Sequence, residues 1–247
     1  MRETAKNYED RVKNGDFSRY LHGYGIDIGG GDDCLILPPG IKGKVRLWDL
    51  KDGDAQYLWK IRDEAFDFVY SSHCLEHMRN INVALKNWIR VCKRGGVLYI
   101  CVPHETYYEK GVWPSVNNLD HKHSFTLNEG SGLPKNVVIK DFLDQFRNYV
   151  EVIDIRENLK NYDFTCDRNI DQTADYEKKV CAQFDIILRK KKSRKFSKRE
   201  KVWEGLCCFK DYIIFLLPIR IYGILPAIIQ AGVRYLVGRM RKYQIRT

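Results

Sequence analysis

The length and composition of the chain permit one α/β domain of ordinary size and an appendage, since 247 residues with 44% hydrophobic content can bury one substantial core. Eight cysteines without a C-x-x-C pair argue against a disulfide framework and a zinc site, and favour a reducing compartment. The charged amino terminus carries no apolar segment, so no secretory signal is expected.

The formal net charge of +10 is concentrated at the end of the chain. Residues 189–247 contain 16 basic and 3 acidic side chains, whereas residues 1–188 contain 26 basic and 29 acidic ones. We therefore predict a main domain over 1–190 and a basic tail over 191–247. Because the main domain is not basic, nucleic acid is not an expected partner.

The chain opens with a polar segment and then shows the pattern of a buried strand that ends in a tight turn. Residues 1–22 predict a leading helix or arm that could cover a ligand pocket, or a solvated extension. The apolar residues Tyr24, Ile26 and Ile28 lead into three consecutive glycines, 29–31. Glycines let the backbone approach a ligand closely, and in α/β sheets this turn lies where nucleotide-like ligands bind.

Two kinds of ligand compete for this turn. A dinucleotide fingerprint requires Gly or Ala where the chain has Cys34, and Asp32 and Asp33 would repel a pyrophosphate. A ligand with an ammonium and a sulfonium suits Asp27 and these two carboxylates better. The stretch resembles motif I of the class I S-adenosylmethionine methyltransferases, an acidic residue followed by x-G-x-G. The third glycine often seen in that family is Asp33 here, and a plain glycine turn is the alternative.

The segment after the turn is shorter than in the full fold. Residues 35–37 run directly into a Pro-Pro-Gly sequence, which predicts a short or missing crossover helix. The next strand, over 45–49, ends in Asp49, at the spacing suited to an acid that binds two ribose hydroxyls. Residues 53–56 resemble the adenine-contacting segment of the family, which implies that Asp54 accepts from the adenine amino group.

Residues 66–103 carry the most specific pattern. They combine F-D-x-V-x-S-x-x-x-L-E-H, an amphipathic helix that ends in R-V-x-K-x-G-G, and an apolar strand over 97–103. The combination closely resembles the fourth and fifth strand region of small-molecule S-adenosylmethionine methyltransferases.

The resemblance implies a doubly wound, mostly parallel, Rossmann-like α/β sheet with trimmed early crossovers. It also implies S-adenosylmethionine as the cofactor. The residues that it assigns to cofactor binding are Asp27, Gly29, Gly30, Gly31, Asp49, Leu50, Asp54, Ala55, Ser72 and His73. His77 would lie beside the cofactor too, although helix packing is the plainer interpretation of that residue.

The loop over 104–126 follows a central strand, so we expect it on the cofactor face, where active-site loops of this fold belong. Its acid–base residues provide the candidates for the catalytic base. We rank His121 first, His123 second and His104 third, with Asp120 orienting or replacing the base. Binding of a glycan or fixing of the loop is the alternative role for these groups.

The same loop contains the run W-P-S-x-N-x-x-D-H-K-H-S-F-T, which resembles methyltransferases encoded among bacterial surface-polysaccharide genes. The residues 120–123 could also be interpreted as metal ligands, because H-x-H occurs in such sites. A full ligand set is not evident in the loop, so no metal site is predicted.

The remaining elements complete the predicted sheet. Residues 135–146 have the pattern of an amphipathic helix, and the strands 150–155 and 184–188 are expected to form an antiparallel hairpin at the sheet edge. The polar insert 157–179 between them is expected to pass over the sheet.

The tail combines a basic strip with apolar stretches. Residues 189–201 hold nine basic side chains and one Glu200, and the stretches beyond are interrupted by Pro218, Arg220 and Pro226. Arg220 near the centre of a membrane span would cost roughly 2.5–3.5 kcal/mol. We therefore predict that residues 190–240 lie on the membrane surface, with the enzyme peripheral on its cytoplasmic face. Packing of the tail on protein is the alternative.

The function implied by these observations is transfer of a methyl group from S-adenosylmethionine to a hydroxyl of a cell-surface glycan or glycolipid. The alternatives are methylation of a lipid or quinone, and a catalytically silent scaffold in a glycan-assembly complex. The sequence predicts neither the sugar nor an oligomeric state.

Overall fold

A computed structural model describes residues 2–127, 132–167 and 169–192, which belong to the unit formed by residues 1–194. Apart from its first two residues, the predicted tail 191–247 lies outside the described residues. The helices in the described part are α1 Glu3–Lys13, α2 Asp16–Tyr20, α3 Ile81–Val91 and α4 Ile139–Asp144. The strands there are β1 Gly23–Ile28, β2 Gly43–Trp48, β3 Phe66–Ser72, β4 Cys92–Pro103, β5 Ser124–Thr126, β6 Asn136–Val138, β7 Val150–Asn158 and β8 Gln183–Lys190.

The central sheet has the strand order β2–β1–β3–β4–β8–β7. Strands β2, β1, β3 and β4 are parallel, and β8 runs antiparallel to β4 and to β7. Because β1 pairs with β2 on one side and with β3 on the other, the carboxyl ends of β1 and β3 meet where the strand order reverses. Ligands of doubly wound sheets bind at this point. The predicted doubly wound, mostly parallel sheet and the antiparallel hairpin at its edge are confirmed.

The trimmed connection after β1 is also confirmed. The chain makes one short 3₁₀ turn, Gly31–Asp33, and then extends to β2 without an α-helix. The crossover from β3 to β4 retains its helix α3, whose start is capped by Asn80: the side-chain oxygen accepts from the backbone N–H of Asn82 and Val83, each at 3.1 Å. The buried face of α3 contains Leu85 and Trp88.

The leading segment forms α1 and α2, which pack on the sheet. Arg11 of α1 is buried, and its guanidinium donates to the Tyr70 hydroxyl at 2.6 Å and lies 3.3 Å from the Asp185 carboxylate. The first turn of α1 has no side-chain cap of its own. Asp33 supplies the cap, since its carboxylate accepts from the backbone N–H of Thr4 at 2.6 Å and of Ala5 at 3.1 Å. These two bonds fix the amino end of α1 to the glycine turn.

The predicted helix over 135–146 is wrong at its beginning. Asn136–Val138 forms strand β6, which pairs in parallel with β5, and the helix α4 begins at Ile139. The physical reason is local: two successive valines favour a strand, and the Asn136 amide donates to the Glu105 carboxylate at 2.8 Å and to Ser124 at 3.2 Å.

The segment between β7 and β8 folds back onto the loop that follows β4. The Tyr162 hydroxyl donates to the Tyr107 carbonyl at 3.3 Å, and Lys110 donates to the Ile170 carbonyl at 2.8 Å. The insert therefore lies against this loop and places an aromatic cluster beside it, whereas its passage over the sheet stays a prediction. No helix among the described residues is long and apolar enough to cross a membrane.

Candidate active site

The glycine turn lies directly against the end of β3. Gly29 has φ +81° and Gly31 has φ +50°, and a Cβ on Gly29 would lie 2.6 Å from the Cys74 sulfur. A Cβ on Gly30 would overlap the Asp27 carboxylate. Side chains other than hydrogen are therefore excluded at two successive positions of the turn, and its backbone is left bare toward the carboxyl edge of the sheet.

Asp27 lies beneath this turn and does not line the cavity above it. Its Oδ2 accepts from the backbone N–H of Leu35 at 2.7 Å, and its buried Oδ1 has no partner among the described residues. Burial raises the pKa of Asp27 to about 7. The structure therefore assigns Asp27 to the support of the turn, whereas the family resemblance implied direct cofactor binding.

Asp49 lies beside the turn, as predicted. Its Oδ2 is 3.6 Å from the position of a Cβ on Gly31, and its Oδ1 accepts from the Leu50 N–H at 2.7 Å. Leu50 itself is 93% exposed. The carboxylate that follows β2 is thus close to the glycine turn, and Asp49 is only partly buried.

The predicted adenine segment is farther from the cavity. Asp54 is exposed, accepts from the Gln56 N–H at 2.8 Å and pairs with Arg79 at 3.5 Å. The Ala55 carbonyl accepts from the Trp88 indole at 2.9 Å, so it serves the packing of α3. Neither residue lines the cavity.

A cavity of about 180 Å³ lies between the glycine turn, the end of β3 and the start of α1. Glu3, Thr4, Asp33 and Asn118 form part of its wall, and the residues that matter most for chemistry form the rest: Gly29, Gly30, Ser72, His73, His77 and His121. Five residues of the predicted site (Gly29, Gly30, Ser72, His73 and His121) therefore meet in one cavity.

His73 is held in a strained conformation at the edge of this cavity, with φ +53°. Its Nε2 lies 3.1 Å from the Gln183 amide oxygen, which makes Nε2 the protonated nitrogen. Burial lowers the pKa of His73 to about 3. The ring is therefore neutral and carries its lone pair on Nδ1, which is buried without a partner among the described residues.

His121 occupies the position that the sequence assigned to the catalytic base, and two glutamates surround it. Its Nδ1 is 2.6 Å from Glu109 Oε1, and its Nε2 is 3.9 Å from Glu76 Oε1. Burial raises the pKa of Glu76 well above its usual range. Sequence reasoning gave no role to either glutamate, although both stand in motifs that it singled out, because their convergence on His121 is a tertiary contact.

The sequence predicts that Asp120 orients His121, but in the structure Asp120 contacts His77 instead. Its carboxylate is 2.8 Å from His77 Nδ1 and is also held by Lys122 at 3.0 Å. The rings of His77 and His121 meet edge to face, with 4.8 Å between their centroids. Asp120 therefore positions His77, and Glu109 takes the place beside His121.

The other two candidate bases lie outside the cavity. Both nitrogens of His104 are engaged: Nδ1 accepts from the Thr106 N–H at 3.0 Å, and Nε2 is 2.7 Å from Glu157. The His104 ring stacks on Phe184, which gives it a structural role. Burial lowers the pKa of His123. Among the three histidines ranked from the sequence, His121 is therefore the one that the fold brings to the cavity.

Comparison with known proteins gives a family match and similar folds. Residues 36–100 match a protein family described as a methyltransferase domain. A candidate S-adenosylmethionine-dependent methyltransferase from Listeria monocytogenes has 15% identity, with 77% of this chain and 99% of that chain covered and a TM-score of 0.51. A methyltransferase of this kind from Archaeoglobus fulgidus has 17% identity, coverages of 76% and 94%, and a TM-score of 0.47. The curated proteins contain no match.

The sheet order, the glycine turn and the cavity at the carboxyl ends of β1 and β3 define the class I methyltransferase fold. With the match over residues 36–100, they identify the protein as an S-adenosylmethionine-dependent methyltransferase. Its cofactor is S-adenosylmethionine.

The residues present fit this cofactor. The bare backbone at Gly29 and Gly30 admits a close approach, and the buried Ser72 Oγ in the cavity wall has no partner among the described residues. Asp49 offers a carboxylate oxygen beside the turn for a ribose diol. We therefore expect Gly29, Gly30, Ser72 and Asp49 to hold the cofactor.

Proposed function

We propose that the protein methylates a hydroxyl of a sugar in a bacterial cell-surface glycan, such as a lipid-linked O-antigen precursor of lipopolysaccharide. The observation that carries this proposal is the acid–base cluster, by which we mean Glu76, His77 and His121. Two of its members line the cavity, and the third is buried behind them. An apolar acceptor surface would leave both Glu76 carboxylate oxygens and His121 Nε2 without partners, at about 1–3 kcal/mol for each buried polar atom.

An aromatic cluster formed by the loop 104–123 and the insert supports a sugar acceptor. The rings of Tyr107, Tyr162 and Phe164 lie 5.0 to 5.6 Å from one another, and Phe164 is 65% exposed. Rings of this kind present apolar faces on which the C–H face of a pyranose can stack. Tyr108, which follows Tyr107, stacks on His121 at 5.5 Å and so connects the aromatic cluster with the cavity.

The reaction needs alignment of the acceptor and removal of its proton. S-Adenosylmethionine, when bound, supplies a methyl group on a cationic sulfonium. The glycine turn and Ser72 would fix the position of the cofactor, and alignment of the reacting atoms accounts for much of the acceleration in such a displacement. We propose that the acid–base cluster activates the acceptor hydroxyl, a contribution of roughly 10²–10⁴-fold for a well-placed group.

The test is transfer of an isotopically labelled methyl group by the purified protein. The acceptors are a panel of nucleotide sugars and lipid-linked oligosaccharides, compared with quinones and phospholipids. Label in an acid-stable O-methyl sugar is the expected result, and mass spectrometry of the intact glycan from a deletion strain should show the loss of 14 mass units per missing methyl, about one CH₂. Label confined to lipid or quinone would contradict the proposal that the acceptor is a sugar. A protein that binds no S-adenosylmethionine would favour the scaffold alternative.

We also propose that residues 190–240 attach the enzyme to the membrane surface. The proposal is supported by the sequence of the tail, whose basic strip and apolar stretches suit an anionic leaflet, each nearby cation adding up to about 1 kcal/mol. Deletion of 190–247 should release the protein from sedimented membranes and leave its affinity for S-adenosylmethionine unchanged. Continued sedimentation of the truncated chain in high salt would contradict this attachment.

A further inference from the structure

The acid–base cluster contains more unpaired polar atoms than the proposed reaction requires. Both carboxylate oxygens of Glu76 and the Nε2 of His121 are buried without a hydrogen-bond partner among the described residues. The same is true of His73 Nδ1, which lies 3.6 Å from Glu76 Oε1. Each such atom costs about 1–3 kcal/mol if nothing binds it. Their convergence on one wall of the cavity indicates a site for a ligand that bonds to several of them at once.

The spacing of the donor atoms suits a metal ion. Glu76, His77 and His121 each offer one ligand atom, and these atoms lie within 4.8 Å of one another. An ion held tetrahedrally at about 2.1 Å from each ligand separates its donors by roughly 3.4 Å. The 3.9 Å between His121 Nε2 and Glu76 Oε1 is close to this value, so small side-chain rotations complete the site.

The outer contacts of the two histidines are those of metal ligands. His121 Nδ1 is 2.6 Å from Glu109, and His77 Nδ1 is 2.8 Å from Asp120. Ligating histidines in proteins almost always donate their second ring N–H to a carboxylate, a carbonyl or water, which fixes the tautomer and orients the ring. In both residues a donated Nδ1–H leaves the lone pair on Nε2.

We propose that Glu76, His77 and His121 bind a divalent transition-metal ion, with Zn²⁺ as the preferred ion, in the wall of the cavity. Two imidazoles and one carboxylate favour zinc or a neighbouring transition metal over Mg²⁺ and Ca²⁺, which prefer oxygen ligands. Three protein ligands leave a coordination position open, as in catalytic zinc sites. Methyl transfer needs no redox step, so zinc suffices. The loop 120–123 alone lacked a full ligand set, and the missing donors come from the segment after β3.

The role of the ion rests on the proposed function, whereas its binding does not. With an acceptor hydroxyl at the open position, the ion lowers the pKa of that hydroxyl, as zinc lowers the pKa of bound water. The proton would leave to solvent, and the hydroxyl oxygen would attack the methyl carbon as the bond from that carbon to the sulfonium sulfur breaks. S-Adenosylhomocysteine would be the leaving group. His121 then acts as a ligand, so the direct base role predicted from the sequence is replaced.

The experiment uses the full-length protein after treatment with a chelator. Titration with Co²⁺ is followed through the visible absorption of the four-coordinate ion, and Zn²⁺ affinity is measured by competition with a chromophoric chelator. We expect one ion per chain, and about 100-fold weaker binding or worse in Glu76→Gln and in His121→Ala. His77→Ala should show a comparable loss, and because its side chain is 25% exposed it also serves if the buried variants do not fold. The control is His22→Ala, an exposed histidine at the opposite end of β1.

Two further measurements separate the ion from the proposed function. Glu109→Gln, which changes a contact of a ligand only, should weaken Zn²⁺ binding by about 10–100-fold. Absence of the Co²⁺ band in the wild type, or equal affinity in the wild type and His77→Ala, would overturn the metal site. Methyl transfer to a sugar that survives complete removal of metal would overturn its role and leave the proposed function intact. If the protein binds the ion but methylates no hydroxyl, the metal site stands and the proposed function is wrong.

Discussion

The two ends of the cavity are built in different ways. At the glycine end, residues 27–33, two of the three carboxylates are bonded to the backbone and the third, Asp32, is exposed: Asp27 accepts from Leu35, and Asp33 caps α1. At the acid–base cluster, Glu76 and His121 keep three buried atoms without partners in the described structure, against one at the glycine end, Asp27 Oδ1. The glycine end therefore provides a shape, and the cluster provides reactive groups. Substitutions at the glycine end should change the stability of the fold and the affinity for the cofactor. Substitutions at the acid–base cluster should change kcat.

The largest effect is expected at the acid–base cluster. His121→Ala should reduce kcat by about 10²–10⁴-fold and leave the affinity for S-adenosylmethionine within a factor of about two, because the residue serves activation of the acceptor hydroxyl, either as a base or as a ligand of the proposed ion. The measurement is single-turnover methyl transfer at saturating cofactor and acceptor. Val116→Ala, at a residue that is 60% exposed, is the control in the same loop. A kcat within fivefold of wild type corresponds to a change of roughly 1 kcal/mol in the activation free energy. That result would show that the acid–base cluster does not supply the reactive groups.

The next effect concerns the shape of the glycine end. Gly29→Ala should destabilise the fold by about 2–4 kcal/mol, since a positive φ is combined with overlap on Cys74. Gly40→Ala is the matched control: its φ is +90°, but nothing lies within 4 Å of the added Cβ, so it should cost only about 1–2 kcal/mol. Urea unfolding measures both. Equal losses of unfolding free energy in the two variants would show that backbone strain alone, without the contact to Cys74, shapes the turn.

A smaller effect tests the buried carboxylate under the turn. Burial raises the pKa of Asp27 to about 7, so between about pH 4 and 7 the folded protein holds a proton that the unfolded chain releases. The contribution of Asp27 to the free energy of unfolding therefore falls as the pH rises through this window, by up to about 1.4 kcal/mol per unit. Asp27→Asn should remove this slope, and the exposed Asp32→Asn should retain it. Parallel profiles for wild type and Asp27→Asn, from urea unfolding at several pH values, would exclude a buried titrating Asp27.

The sheet could be predicted from the sequence because its signals are local. Alternating apolar residues before the glycine turn and the helical spacing that precedes Gly95 each specify an element without knowledge of the rest. The predicted end of that helix at Gly95 is wrong, because α3 ends at Val91 and Cys92 already belongs to β4. The doubly wound order then follows from the resemblance, and the structure confirms it. The strand β6 was missed because Val137 and Val138 also fit one face of a helix, and the pairing with β5 that decides between them is a tertiary contact.

The site could be predicted only in part, for the same reason. The loop 104–123 was placed correctly, and His121 reaches the cavity. The partners of the polar side chains follow from the packing of distant segments: Glu76 faces His121, Asp120 pairs with His77, and Asp33 serves α1. None of these pairings has a periodicity or a short-range spacing that a single sequence could reveal.

The central claim is that the glycine end, together with Asp49, holds S-adenosylmethionine beside a separate set of reactive groups. Isothermal titration of the full chain with this cofactor tests it most directly, in the wild type, in Asp49→Ala and in His121→Ala. We predict one site per chain, a loss of more than about 1 kcal/mol in Asp49→Ala because a charge-assisted hydrogen bond is removed, and unchanged affinity in His121→Ala. Undiminished affinity in Asp49→Ala together with lost binding in His121→Ala, or a wild type that binds no cofactor, would contradict the account.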